Sequence, residues 1–502
     1  MVLYIDKSSV PDPENIPNDV FKYLLEKAKP KAQQLAGLYD IYLGRDGQGA
    51  TDKDEIHVNV NYAKYNVDLI GGFFLGEPVK YDSNEKSDEK PLFSASGAKK
   101  AVVKNGNVVE FDGKKKDEKK AVDISPVLSA YDAQVISKVD SKIGKFMGIY
   151  GQAQELLYAS DEAEPKPKST VLHPQNCILV RDNTVEHRNI FFMTYEEREH
   201  VDHQKYYAVT VYTDKTERYY ESVDLDSFMF RPAEPKEHYF GAVPCVNYDN
   251  NDDRQGDVEQ IASLSKAYSD LLSDRLTDKH KFIDAILAIF GFSLPDDGDN
   301  GEKAARNLKE NKMIDGIPTD ARIEYIQRVF DETSVKVLSD DLVRDIHKMA
   351  MTVDMSDESF SGNITGVALE MKFMPMSFLT KTKIRNMDEG LKRRFELYNN
   401  WLCKKGVMQP VSKNDVDVIF TVDMPSNLTE TVDIVQKLEG RVDEQTLLAQ
   451  LPFVKDPVEM AEIMKKQKEE NKKQLMDSFG KSNPLESKDE KPDEGVKPSG
   501  EA

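Results

Sequence analysis

Apolar residues recur at intervals of three and four along several stretches of the chain, the spacing that gathers them on one face of an α-helix. Val20–Ala36 carries Phe21, Leu24, Leu25 and Ala28 in that phase. It ends near Gly37 and is kinked or interrupted at Pro30, which has no backbone N–H to donate. Ile56–Ile70, with Val60, Ala63, Val67 and Ile70, reads as a second helix stopped by Gly71-Gly72. Val258, Ile261, Leu264, Tyr268, Leu271, Leu272 and Leu276 form one later stripe. Val335, Leu338, Leu342, Ile346, Met349 and Val353 form another over 333–353. The longest helix covers 367–402 and carries Ile384, Met387, Leu391, Phe395, Tyr398 and Trp401. Pro375 lies inside it and crowds the carbonyl of Met371, so a kink is expected there.

Strand signals gather at 170–245, where Cys177–Val180, Ile190–Thr194, Tyr206–Tyr212 and Arg218–Ser222 alternate or are rich in β-branched and aromatic residues. Thr213–Thr216 reads as a hairpin turn. Ala101–Val103 and Val108–Phe111 flank Asn105-Gly106, a type I′ hairpin signal. Strand candidates also fall at Ile323–Val329 and 416–422, with a Pro/Asp/Gly loop at 293–301 and a short basic helical stretch before the first. Helices at 427–439 and 443–451 precede a charged helix starting near Pro457. From about residue 480 the chain has almost no large apolar residues and is expected to be disordered. The fold class is therefore α+β.

Composition narrows this picture. At 502 residues the chain exceeds one simple core, and a mean hydropathy of -0.58 is that of a soluble protein. The apolar stretches Leu69–Leu75 and Phe282–Phe292 are far shorter than the ~20 residues that span a bilayer, so no membrane partner is expected. No secretion signal is read at Met1–Val10. Cys177, Cys245 and Cys403 lie far apart, which argues against a disulfide framework or zinc site and fits a reducing compartment. The net charge of -21 argues against tight static binding to DNA phosphates but not against DNA sliding past. The run 114–120 mixes acids with lysines, so a solvated flank is the better reading than a polybasic DNA contact.

Catalytic motifs are missing: there is no GxxxxGK[ST], GxSxG, HExxH or GxGxxG pattern, and neither an enzyme activity nor a cofactor is expected. His200 and His203 lie in a charged stretch without a partner motif. Asp249, Asp252, Asp253 and Asp257 form an acidic run directly before a helix. It lacks EF-hand spacing, and capping with solvation is the first reading of it. A metal-dependent nuclease or hydrolase using Asp249, Asp252 and Asp253 is the alternative.

Between the second stripe and the longest helix runs Val353 to Gly366, polar and with two glycines. Taken alone it is a surface loop in a helical hairpin. Its surroundings resemble the portal (head–tail connector) proteins of long-tailed bacteriophages. The motifs LGEPV at 75–79, VPCVNYDNND at 243–252, the helix–loop–kinked-helix order and LPFVKDPVEM at 451–460 occur in that family's order.

The resemblance implies a portal architecture: α/β wing, helical stem, small α/β clip and helical C-terminal crown. The wing would take 1–256, with a hairpin insert at 84–123, which has no obvious counterpart in the family. The stem would pair 257–276 with 333–353, the clip would be 277–332, and 367–425 would hold the kinked helix and wing return. The crown would be 426–479, followed by the tail 480–502. The tunnel loop 354–366 would project into a DNA channel through Asp354, Met355, Ser356, Asp357, Glu358, Ser359, Phe360, Ser361, Gly362 and Asn363. Its acids and lack of cations suit sliding rather than gripping. Phe360 could touch DNA or pack on a neighbouring loop, and packing is preferred.

The partners implied are a homo-oligomeric ring of about twelve subunits, double-stranded DNA, a terminase ATPase, and head-completion adaptor, capsid and scaffolding proteins. The implied location is the capsid vertex of the virion, with assembly in the host cytoplasm.

Overall fold

A computed structural model describes residues 1–45, 56–83, 102–104, 107–109, 122–222, 231–232, 234–281, 286–290, 322–326, 332–356, 366–422, 428–448, 451, 454, 460–461 and 463–468. They fall into two compact units, 1–361 with 372–424, and 362–371 with 425–502.

In the first unit, β1 (Val2–Ile5) lies parallel to β7 (Cys177–Asp182). The strands β8 (Asn189–Glu199), β9 (Lys205–Tyr212) and β10 (Thr216–Ser222) continue that sheet antiparallel, in the order β1-β7-β8-β9-β10. The short β11 (Arg231–Pro232) and β12 (Lys236–Glu237) both pair with β10. The turn at Thr213–Thr216 is as expected, closed by Thr213 N–H donating to Thr216 O at 2.9 Å. One face of the sheet buries Ile178, Val180, Phe191, Met193, Val209 and Val211 beneath Phe21, Leu24 and Ala28 of helix α1 (Asn18–Leu43).

A second core surrounds α2 (Tyr62–Leu75), α3 (Ser125–Gln134), α4 (Ile136–Tyr150) and the sheet β13-β5-β6, formed by β5 (Gln152–Ala159), β6 (Pro167–Leu172) and β13 (Cys245–Asp249). Helices α3 and α4 and strands β5 and β6 were not anticipated from the sequence. The strand β2 (Lys80–Ser83) pairs with β16 (Val416–Ile419), 333 to 339 positions apart in the chain, from Ser83↔Val416 to Lys80↔Ile419. The short β3 (Val102–Lys104) and β4 (Asn107–Val109) pair around Asn105-Gly106 as expected. The run 114–120 lies outside the described residues.

Two long helices form a hairpin, α5 (Asp257–Lys281) and α6 (Glu332–Ala350). They run antiparallel, because Arg275 and Lys279 near the end of α5 bind Glu332 at the start of α6, at 2.7 and 2.8 Å. Between them in sequence, β14 (Ile286–Phe290) pairs with β15 (Arg322–Ile326). The loop at 293–301 and the basic stretch after it lie outside the described residues. The 39-residue α7 (Gly366–Lys404) continues as helix through Pro375. Its predicted stripe is buried from Met387 onward: Met387, Leu391, Phe395 and Tyr398 are inaccessible and Trp401 is 3% exposed, while Ile384 is half-buried. The second unit contains the first turns of α7 together with α8 (Leu428–Leu438) and α9 (Glu444–Leu448). No described helix is long and apolar enough to cross a membrane.

Several expected boundaries are corrected. Helix α1 passes through Gly37 to Leu43, because Leu35, Leu38 and Tyr42 on either side of the glycine bury one face. Helix α2 begins at Tyr62 rather than Ile56 and passes through Gly71-Gly72, held by the burial of Ile70, Phe73 and Phe74. Residues 56–60 are extended instead. Their N–H groups donate to hydroxyls of α5: Ile56 to Thr277 at 2.9 Å, Val58 to Ser273 at 3.0 Å and Val60 to Ser269 at 3.1 Å. The buried face of α5 is thus apolar only at its start, with Val258 and Ile261. It then becomes the row Ser265, Ser269, Ser273 and Thr277, while Leu276 of the predicted stripe is 41% exposed. On α6, Ile346 is buried, but Leu338 and Met349 face outward.

Candidate functional site

The junction between the two long helices follows from how α6 ends. Met351 adopts a left-handed conformation, φ 55°. Its N–H donates to Lys348 O at 3.3 Å and that of Thr352 to His347 O at 3.0 Å. This bond pair closes a helix terminus most cheaply on glycine. On methionine it costs roughly 1–3 kcal/mol. Without a glycine to mark it, the end was expected three residues later.

Thr352 Oγ1 donates to Asn66 Oδ1 at 2.5 Å, and Asn66 Nδ2 donates to Tyr62 O at 2.9 Å, which ties the junction to α2. With its proton committed, the Thr352 hydroxyl accepts from His347 Nδ1 at 3.3 Å. That leaves His347 Nε2 facing Asp354 Oδ1 at 3.9 Å. Burial lowers the pKa of His347, and Asp354 opposes the shift. The rings of Tyr62 and Tyr65 stand edge-on to the imidazole, 5.8 and 6.0 Å away. Burial pushes the Tyr62 hydroxyl up to about 12. Asp354 Oδ1 also accepts from Ser356 N at 2.9 Å and Ser356 Oγ at 2.6 Å, so the loop leaves the helix through a carboxylate-stapled turn.

Met355 is 54% exposed. Asp357, Glu358, Ser359, Phe360, Ser361, Gly362 and Asn363 lie outside the described residues. In the described part of the segment the Asp354 carboxylate and the Ser356 hydroxyl are bonded to each other. The segment offers a fixed acidic and polar edge.

The acidic run does not converge. Asp249 accepts from Arg254 Nε at 3.1 Å and Asn247 Nδ2 at 2.8 Å. Asp252 and Asp253 are exposed. Asp257 opens α5 and binds Lys383 of α7 at 2.7 Å, both side chains buried. Asn251 Oδ1 accepts from Gln255 N at 2.9 Å, a bond within the turn that precedes α5. Among the described residues no three His, Cys, Asp or Glu side chains group as a metal site. His200 stacks on Tyr206, with ring centroids 4.0 Å apart, and His203 binds Glu199 at 2.5 Å; the two do not share a helix.

What holds α7 in the first unit is buried charge. Lys383 also donates to Asn250 Oδ1 at 2.5 Å. Arg394, fully buried, donates to Glu155 Oε2 at 2.9 Å and Asp140 Oδ1 at 2.6 Å, while Tyr248 donates to the same Glu155 oxygen at 2.6 Å. Burial raises the pKa of Asp140, against the pull of Arg394. Close packing finishes the seat: a Cβ on Gly390 would fall 2.3 Å from the Tyr248 ring. The sequence pattern passed over both cations. Lys383 lies four residues before Met387 and Arg394 three after Leu391, so their phase alone places them on the buried face.

A family model described as "Phage portal protein, SPP1 Gp6-like" matches residues 22–474. The chain is 22% identical to the portal protein of Bacillus phage SPP1 over 523 aligned residues, covering 98% of this chain and 91% of that one. It is 23% identical over 253 residues to the portal protein of Clostridium phage phiCD119, covering 48% of this chain and 52% of the other. Among solved structures it is similar to a chain from the neck of an empty GTA particle computed with C6 symmetry. There the TM-score is 0.41 and the identity 10%, over 83% of this chain and 93% of that chain.

Proposed function

The chain belongs to the SPP1 Gp6-like phage portal proteins, and on that premise we propose that its copies close into a ring at one capsid vertex. Twelve is the expected number of subunits. Double-stranded DNA passes through the axial hole during packaging, is retained there, and leaves the same way on ejection. A terminase ATPase docks on the clip, 277–332, during packaging, and head-completion adaptors replace it. Capsid and scaffolding proteins are the ring's further partners. The chain acts as a conduit and performs no catalysis. It is assembled in the host cytoplasm and ends in the virion.

One observation carries this reading. The helical hairpin α5–α6 has a two-stranded β element between its helices in sequence, and a polar segment leads from it to a 39-residue helix. In the proposal the residues 354–366 form a tunnel loop that faces DNA. Support comes from Asp354, whose carboxylate is fixed at the loop's root by Ser356. A cation-free acidic edge repels phosphates and keeps the duplex from settling in one register.

Purified protein examined by light scattering and negative-stain imaging tests the reading. Rings with an open axial hole are expected. A chain that stays monomeric at high concentration and varied salt overturns it.

A further inference from the structure

The outward face of α7 within the first unit reads Met374, Phe378, Lys381 and Arg385, at steps of four, three and four. Met374 is 44% and Phe378 55% exposed, and the Lys381 ammonium lies 5.9 Å from the Phe378 ring centre. Exposed methionine and phenylalanine beside arginine are the residues that the centres of protein interfaces favour.

The outward face of α5 has the opposite sign. Asp270, Asp274 and Asp278 are exposed at successive four-residue steps that continue from exposed Lys266, beside Ala267, which leaves the row net acidic. Like charges at that spacing repel along a helix, and the ion pairs at the end of α5 go from Arg275 and Lys279 to Glu332 instead. The two faces match in length: at 1.5 Å per residue the aspartates span about 12 Å and Met374 to Arg385 about 16 Å.

A cyclic ring sets two different faces of one chain against each other at every boundary, so those faces must be complementary. We infer that the Met374–Phe378–Lys381–Arg385 face of α7 in one copy docks on the Asp270–Asp274–Asp278 face of α5 in the next. The inference rests on the ring reading above and specifies which surfaces close the ring. DNA is the competing occupant of the basic face. Phosphates would take Lys381 and Arg385, but a duplex backbone has no apolar surface for Met374 and Phe378.

Two full-length variants test the pairing. One carries Lys381→Glu and Arg385→Glu, the other Asp270→Lys, Asp274→Lys and Asp278→Lys. Each alone presents two faces of one sign and is expected to remain a monomer with wild-type circular dichroism. Mixed in equal amounts, each supplies the face the other lacks, and rings of alternating subunits are expected by mass photometry. Phe378→Ser, at an exposed side chain that leaves the fold intact, is expected to weaken wild-type ring association roughly tenfold.

Rings from either charge variant alone, or folded variants that do not assemble when mixed, overturn the pairing while wild-type rings keep the portal reading standing. A wild-type chain that closes no ring removes the portal reading and the pairing with it. Retained rings with lost duplex affinity in Lys381→Glu, Arg385→Glu assign the face to DNA and overturn the inference.

Discussion

At the scale of single residues, the first unit depends on charges that it cannot expose. Arg394 is shared by Asp140 and Glu155 with no water-accessible surface. Replacing it with methionine leaves two carboxylates in the core without a cation. Arg394→Met is expected to cost about 3–5 kcal/mol, read as a lowered denaturation midpoint. His238 gives a pH signature. Its Nε2 bonds to Thr213 O at 3.1 Å, and its Nδ1 accepts from Phe240 N–H at 3.2 Å, an arrangement that only the neutral ring satisfies.

Burial holds the His238 pKa below its ordinary value of 6.5, so below that pH the unfolded chain binds the proton and the folded one resists it. Stability is expected to fall as the pH drops from about 6.5 toward the folded-state pKa. His238→Gln should flatten that part of a stability-against-pH curve, and an unchanged slope would exclude the effect. At this scale the sequence was legible wherever burial is apolar. Lys383 and Arg394 were missed because hydrophobic periodicity carries no mark for a charge that is buried with its partner.

Among the elements, α5 departs most from its apparent pattern. Its stripe of leucines suggested apolar packing along the whole helix, yet its second half buries hydroxyls that receive the N–H groups of residues 56–60. The repeat Ser265, Ser269, Ser273, Thr277 was visible in the sequence, but small polar residues at four-residue steps usually mark a solvated face. Ser273→Ala would strand the part-buried Val58 N–H, at about 1–3 kcal/mol. Amide exchange at Val58 is expected to accelerate while that of α4 holds; unchanged exchange at Val58 would show that the bond is not needed.

The misplaced helix ends share another cause. Glycine costs about 1 kcal/mol inside a helix relative to alanine, and burying Leu35 and Leu38, at about 1.5–3 kcal/mol for each leucine, outweighs that severalfold even before Tyr42 is counted. At Met351 tertiary bonds imposed a left-handed turn that local propensity disfavours.

For the whole molecule, motif order was more informative than any single motif. LGEPV, VPCVNYDNND and LPFVKDPVEM anticipated the family over a span that the family match then covers. The strands β7, β8, β9 and β10 followed from their alternation and composition, whereas β1, in a stretch that reads as irregular and helical, did not. Helices α3 and α4 were missed as well, and so was the pairing of β2 with β16, since pairing across more than 330 residues leaves no local trace. The proposed sliding mechanism makes its prediction here. Asp357→Lys with Glu358→Lys in the ring should raise duplex affinity and steepen its fall with salt, by about 0.9 in log–log slope for each phosphate newly contacted. Filter binding across a salt series would measure it, and an unaltered slope would place the loop away from DNA.

Trp401 is the chain's sole tryptophan. It is buried near the end of α7, and Lys405 stands 5.5 Å from its ring centre. Intrinsic fluorescence is therefore a probe with one address. Its red shift on denaturation would report the last turns of α7 leaving their core, and melting confined to residues 425–502 would pass in the dark. A fluorescence midpoint that differs from one followed by circular dichroism would then signify two melting units rather than a faulty measurement.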